Sequence, residues 1–290
     1  MRGQAAPRSQ LPFRPVPSGK KSRELRKTQV RTPPPVKSKG GKGGPRARQA
    51  SPRALAIGGG IVAIVAVAIV LAVVLSGGKG GGLPKNHAAV GSLANGLPGA
   101  GDVAAEFKGI PQTGRTLGWP FAPVTMTEYI DLQCPICRQF ETEVFPDILQ
   151  RYIRTKKIKV VMKPWAIIGP DSIRAHQTLF AAALQNRAFN FAALTYDNQG
   201  VENSGWLNDQ MLYNIAVSIP GMKIDPLFTQ RNSAAVKPEA SQDAADADAQ
   251  NVTGTPTIFL TKGAGKPVQV PLANGLDEAT LVKYLNAALA

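Results

Sequence analysis

Cys134-Pro135-Ile136-Cys137 holds the only cysteines of a 290-residue chain. Two cysteines this close can bond to each other within one helical turn but cannot crosslink distant parts of a fold. The chain therefore has no disulfide framework, and the spacing suits thiol–disulfide exchange better than stapling. In that chemistry a thiolate attacks, or is attacked, through a mixed disulfide, and the second cysteine resolves it. Three other readings compete. Half of a zinc site needs more ligands to reach four, and the chain adds only His87 and His176 as histidines. An inert local disulfide stays open but is poorly matched to a helix start. Two buried thiols fit poorly if the pair lies in an oxidising compartment.

The residues around the pair predict how it is held. Val124 to Ile130 is β-branched and aromatic enough for a strand, and it leads directly into the cysteines. After them Phe140, Val144, Ile148 and Tyr152 recur every four residues, with Phe145 and Leu149 widening the stripe. That spacing predicts a helix, and Pro146 inside it predicts a kink. A strand-to-helix junction puts Cys134 at the helix N-terminus, where free N–H groups and the positive end of the dipole favour a thiolate. Pro135 suits the first turn, since its missing N–H has no partner to lose. Cys134 is expected to be exposed and acidic, its pKa brought down from about 8.5 into a range of about 3.5–7.5, with Cys137 one turn in and more buried.

Ile158 to Met162 reads as a second strand. Residues 171–250 read as helices broken by Gly and Pro: one through Ile173, Leu179, Phe180, Ala183 and Leu184, then segments around Phe189–Leu194, Asn208–Ser218 and Val236–Gln250. Thr257–Leu260 and Val268–Val270 form a predicted hairpin, and Asp277 caps a last helix with Leu281, Leu285 and Leu289 on its apolar face. The order is that of an α/β sheet with a helical insertion at about 171–250.

Charge divides the chain unevenly. Residues 1–53 carry 15 Lys+Arg and one acid, Glu24, and so nearly all of the net charge of +15. This Pro- and Gly-rich tail cannot bury enough surface to offset chain entropy and is expected to be disordered. It has no aromatic interleaving, so nucleic-acid binding is not expected; topogenic charge is the preferred reading. Residues 54–75 are 22 uncharged residues, about 33 Å as a helix and enough to cross a bilayer core of about 30 Å. The preceding 53 residues are too long for an ordinary signal-peptide n-region. An uncleaved anchor with a cytoplasmic N-terminus is expected, and everything after it is extracytoplasmic. Residues 76–101 read as a flexible glycine-rich linker in which His87 is inert, and 102–290 as the globular domain.

The run from Thr125 to Cys137 resembles the active-site strand and helix start of DsbA-like thiol–disulfide oxidoreductases, which have the thioredoxin fold. Gly109-Ile110-Pro111-Gln112, Leu117-Gly118 and Pro123-Val124 are similar to the domain entry in membrane-anchored bacterial members, and Val252-Thr253-Gly254-Thr255-Pro256-Thr257 to the family's cis-proline loop. The resemblance covers roughly Ile110 to the C-terminus. It implies a thioredoxin-like fold with a helical insertion, after a disordered tail and one transmembrane helix. It implies that Pro256 is cis and faces the cysteines, and that Thr255 presents its backbone to an extended substrate segment, with Pro135 and Ile136 also at the substrate side. It implies that Glu128, six residues before Cys134, is a buried acid exchanging a proton with Cys137; the competing reading of the residue is a strand carboxylate facing solvent. His176 has no motif role and is expected to be a packed or surface histidine. Ile136 departs from the most oxidising members, which carry histidine there.

The function expected is an envelope-tethered oxidase that needs no cofactor or metal. It would introduce disulfides into reduced or misoxidised exported proteins and be reoxidised by an integral-membrane quinone-linked partner of the DsbB or vitamin-K-epoxide-reductase type. Residues 76–101 are too short for a dimerisation domain, so the catalytic domain is expected to be monomeric. An envelope reductase, or a substrate-binding or chaperone module, are the alternatives.

Overall fold

The computed structural model describes residues 83–290 except Asn95. The expected tail at 1–53 and membrane segment at 54–75 lie outside the described residues. Among the described residues no helix is long and apolar enough to cross a membrane.

In chain order the elements are α1 (Ala100–Glu106), β1 (Gln112–Thr113), β2 (Thr116–Leu117), β3 (Val124–Ile130), α2 (Pro135–Gln139), a π turn (Phe140–Val144), α3 (Phe145–Ile148), a second π turn (Leu149–Ile153), β4 (Ile158–Pro164), α4 (Pro170–Ala183), α5 (Ala188–Asp197), α6 (Asp209–Val217), α7 (Ile224–Gln230), α8 (Lys237–Ala249), β5 (Thr257–Lys262), β6 (Val268–Gln269), a 3-10 turn (Ala273–Gly275) and α9 (Glu278–Leu289). The six strands form one sheet in the order β1-β2-β4-β3-β5-β6. β3 lies at its centre, parallel to β4 and antiparallel to β5. The strands, the helical insertion and the Asp277 cap, which accepts from the Thr280 N–H at 3.0 Å, all follow the sequence pattern.

Period-two alternation sends the side chains of β3 to two cores. Val124, Met126 and Ile130 join the main cluster with Phe140, Val144, Ile148 and Leu149. Tyr129 joins a smaller one with Ala247, Val252 and Phe259. α8 has almost no large apolar residue and is held to the sheet by charge instead. Asp243 pairs with Arg115 and with Lys163 (3.0 Å), Asp246 with Lys163, and Gln250 donates to the Tyr129 hydroxyl at 2.7 Å.

The helix after the cysteines is not continuous. Pro146 has no N–H and its ring crowds the preceding turn, and two five-residue π turns flank the four residues that contain it. The first π turn carries Glu141 inward.

The linker expected at 76–101 departs from expectation where it is described. Val90 bridges Lys223, and the Gly91 N–H donates to the Met222 carbonyl at 2.8 Å. A Cβ on Gly91 would lie 2.3 Å from the Ile219 carbonyl oxygen, so glycine serves close packing here rather than freedom. His87 is tied down here, its Nε2 lying 2.7 Å from Asp225 Oδ1.

Candidate active site

β3 ends at Ile130, and residues 131–133 turn the chain into α2 with Cys134 as its N-cap. This turn is fixed by buried polar groups. Asp131 Oδ1 accepts from the Gln133 N–H (2.9 Å) and the Ser172 hydroxyl (2.7 Å); Oδ2 accepts from the N–H groups of Ile167 (2.9 Å) and Ile168 (3.1 Å). The Leu132 N–H donates to His176 Nε2 at 3.1 Å. That nitrogen must be unprotonated to accept, and burial lowers the pKa of His176 accordingly. Gln199 Nε2 donates to the carbonyls of Leu132 (3.1 Å) and Cys134 (3.2 Å).

Cys134 and Cys137 are both free thiols. Cys134 is 7 % exposed and Cys137 wholly buried, so the expectation of an exposed Cys134 is corrected. The cover comes from the chain's other end. The Thr255–Pro256 peptide is cis, and the Thr255 carbonyl oxygen lies 3.3 Å from Cys134 Sγ. Ile136 and Pro256 close around Gly275, where a Cβ would sit 2.9 Å from Ile136 Cγ2 and 3.1 Å from Pro256 Cδ. Gly275 has φ +75°, a second reason for glycine.

The two sulfurs are electrostatically unlike. Cys134 is lowered to about 6, first by a hydrogen bond from the Cys137 side chain, against desolvation, with help from the Thr255 side chain and the Cys137 and Ile136 backbone N–H groups at the helix start. The Cys137 N–H donates to Cys134 Sγ at 3.4 Å. The Thr255 carbonyl can only accept and so favours the protonated thiol; its hydroxyl can donate and favours the thiolate. Cys137 is pushed well above its ordinary value by burial, by donating to Cys134 and by the charge Cys134 carries. At neutral pH the reduced pair is therefore one thiolate and one thiol.

Glu128 is fully buried, which excludes the solvent-facing alternative. Its register partners are Met162 and Ile258, both buried and apolar. Burial raises its pKa to about 8. Glu141, which sequence reasoning did not single out, is also buried and raised well above the carboxylate range, by desolvation and then by the charge of Glu128. The other residues missed are Asp131, Gln133, Gln199 and Gly275. Only the Asp131-to-Cys134 spacing offered a signal, as a short polar turn before a helix.

Residues 111–265 match the family described as thioredoxin. The chain belongs to that family. Among curated relatives, "Probable disulfide bond formation protein D" of Bacillus anthracis is 24 % identical over 170 residues, 57 % of this chain and 78 % of the relative. The oxidised BdbD structure from Bacillus subtilis superposes with a TM-score of 0.54 at 21 % identity, over 62 % of this chain and 97 % of that one. Chlamydia trachomatis DsbA gives 0.51 at 19 % identity, over 60 % and 90 %. These structures share the DsbA-like form of the thioredoxin fold. Family and relatives make this thioredoxin-family chain a thiol–disulfide oxidoreductase.

Proposed function

We propose that the chain is an envelope-tethered thiol oxidase that introduces disulfides into exported proteins. The observation that carries the reading is the asymmetry of the pair: a Cys134 lowered to about 6 beside a Cys137 held protonated. A substrate thiolate attacks Cys134 Sγ of the oxidised pair, the Cys134–Cys137 bond breaks, and Cys137 leaves and takes up a proton. A second substrate thiol then closes the substrate disulfide and releases Cys134, which is stable as a thiolate and so a good leaving group. A stabilised thiolate favours the reduced form of the enzyme, which is what makes a disulfide an oxidant. The curated relatives named for disulfide bond formation support the same direction over a reductase or a non-catalytic module.

The substrate segment lies extended beside Thr255, whose backbone adjoins Cys134, with Pro135, Ile136 and Pro256 forming the rim. Glu128 exchanges a proton with Cys137; both are fully buried, and the charges of Cys137, Glu141, Glu128 and Asp131 all act on the Tyr196 phenol. Residues 54–75 anchor the protein, the basic tail stays in the cytoplasm, and a membrane quinone-linked oxidase restores the disulfide; the 22 uncharged residues behind a basic flank support this arrangement. The test is reactivation of reduced, unfolded ribonuclease by the oxidised full-length protein. Recovery of ribonuclease activity that depends on Cys134 is expected; no recovery overturns the oxidase reading.

A further inference from the structure

The segment before α1 is folded onto the domain, and that shortens the reach of the chain. The Ala88 N–H donates to the Tyr213 hydroxyl at 3.2 Å, the Ile224 N–H to the Ala89 carbonyl at 3.0 Å and the Ser92 N–H to the Val217 carbonyl at 2.8 Å. Val90 bridges Lys223, Gly91 bonds Met222, and His87 meets Asp225. Residues 87–92 are therefore a strap along the α6–α7 connection and not a spacer. Only residues 76–82 separate the apolar run that ends at Leu75 from Leu83, where the described residues begin. The eight Cα-to-Cα steps from Leu75 to Leu83, at about 3.6 Å each, span no more than about 29 Å. The headgroup layer beyond the core of a bilayer takes up about 5–7 Å of that. A taut chain would leave a gap of roughly 20 Å between strap and headgroups, and any slack narrows it.

The face at this corner mixes apolar tips with cations. Val90 and Leu93 on the strap and Leu184 just past the end of α4 are about half exposed. Lys85 and Lys223 are exposed and Arg187 is half-buried. The Arg187 Nε donates to the Pro220 carbonyl at 3.5 Å, and the Gln185 side chain exchanges hydrogen bonds of 2.8 and 3.0 Å with the Lys223 backbone, so the end of α4, the α6–α7 connection and the strap are one surface. Asp225 at this corner is paired with His87. The cysteines lie at the other end of α4. Ser172 in its first turn accepts from the Gln133 side chain of the active-site turn at 2.9 Å, whereas Lys223 is held by the turn that follows Ala183. The 14 residues of α4 separate the two ends, about 21 Å of helix.

We propose that the face formed by the strap, the α6–α7 connection and the end of α4 rests on the anionic headgroups of the bilayer that holds the anchor, with Cys134 at the far end of α4, turned toward arriving exported chains. The proposal rests on residues 54–75 being the anchor. A few cations and three apolar tips are a weak membrane contact for a free protein. The short tether changes that, because it holds the face beside the surface at an effective concentration in the millimolar range. Val90, Leu93 and Leu184 then meet the boundary between headgroups and acyl chains, and Lys85, Lys223 and Arg187 the lipid phosphates.

The test uses the full-length protein in lipid nanodiscs, of phosphatidylcholine alone or mixed with phosphatidylglycerol. Val90→p-benzoylphenylalanine puts a photocrosslinker on the strap. Val201→p-benzoylphenylalanine puts one at the cysteine end, on the loop whose Asn203 N–H donates to Gln133. Both positions are exposed. Extraction of membranes with alkaline carbonate comes first: release of the protein would mean that residues 54–75 are no anchor, and the proposal would fall with that reading. In protein that stays in the membrane, irradiation should give a lipid adduct from position 90 and none from position 201. Lys85→Glu combined with Lys223→Glu should cut the position-90 adduct in phosphatidylglycerol discs, by up to about 30-fold at about 1 kcal/mol for each lysine lost, and leave it unchanged in phosphatidylcholine alone. Equal adducts from positions 90 and 201, or none from either, overturn the orientation. A crosslinked dimer from position 90 in place of a lipid adduct overturns it too, since a second copy would then cover the face. An adduct that the charge reversal leaves unchanged in both kinds of disc overturns the role of the anionic headgroups.

Discussion

Thr255→Val removes one hydroxyl while keeping the β-branched shape and the backbone carbonyl that lies 3.3 Å from Cys134 Sγ. The thiolate loses one donor among several, since the Cys137 side chain is the largest cause of its lowered pKa and Thr255 a smaller one. A hydrogen bond to a charged group contributes about 1.5–3 kcal/mol, and the rim position puts this one at the lower end. At about 1.4 kcal/mol per unit, Cys134 should rise from about 6 to about 7. The thiolate fraction at pH 7 then falls from about nine-tenths to about one-half.

Only the reduced enzyme carries this charge, so the reduced form is destabilised and the pair becomes less oxidising. At about 30 mV per tenfold change in a two-electron equilibrium, the potential should fall by about 20 mV at pH 7 and by nearly 30 mV at pH 8, with no difference below about pH 5. The pKa is read from the pH dependence of Cys134 alkylation by iodoacetamide, and the potential from glutathione titrations at pH 5, 7 and 8. An unchanged alkylation midpoint would refute the hydroxyl's role. A potential change of equal size at every pH would show that the substitution acts through packing and not through the thiolate.

Other outcomes follow from the same geometry. Glu128 keeps its proton in the native state up to about pH 8, whereas an unfolded glutamate loses it near pH 4.3, so the native state binds the extra proton and loses stability as pH rises between those values. Glu128→Gln should therefore gain on the wild type in urea titrations from pH 5 to pH 8, and a gap that does not change with pH would count against a buried protonated acid. His176 works in the opposite sense: its lowered pKa makes the fold lose stability as pH drops below about 6.5, because the unfolded chain takes the proton that the native one refuses. Asp131→Asn replaces an acceptor of four donors with a group that itself donates; a loss of about 2–4 kcal/mol in chemical denaturation is expected, and a loss under about 1 kcal/mol would mean the turn does not depend on it. Gly275→Val should disturb Ile136 and Pro256 together, with ribonuclease reactivation falling by more than the accompanying stability loss of about 1–3 kcal/mol accounts for; full activity would show that the 3-10 turn does not shape the rim.

The parts of the fold legible in the sequence are those set by local periodicity. β3, the stripe from Phe140 to Tyr152, the Asp277 cap and the helical insertion all follow from spacing. Cys134 and Cys137 were visible as a short motif; Thr255-Pro256 reads by itself as an ordinary loop turn and stood out only through the family resemblance, and its 121-residue gap to Cys134 is closed only by folding. Contacts made by single polar residues across long separations were not legible. His176 reaches Leu132 over 44 residues, and Asn203 reaches Gln133 over 70, with no pattern in the chain to announce either. Glu141 lay outside the apolar stripe, so helical periodicity gave no reason to put it inside; the π turn rotates it there. Gly91 and Gly275 show why composition misleads. A glycine needed for close approach reads the same as one in a flexible linker.

The reduction potential of the Cys134–Cys137 pair tests the central claim most directly. It is measured on the full-length protein by equilibration in glutathione buffers. An oxidase is expected to have a potential toward the strong oxidants near about −120 mV. A value near −270 mV, typical of reducing thioredoxins, would contradict the account.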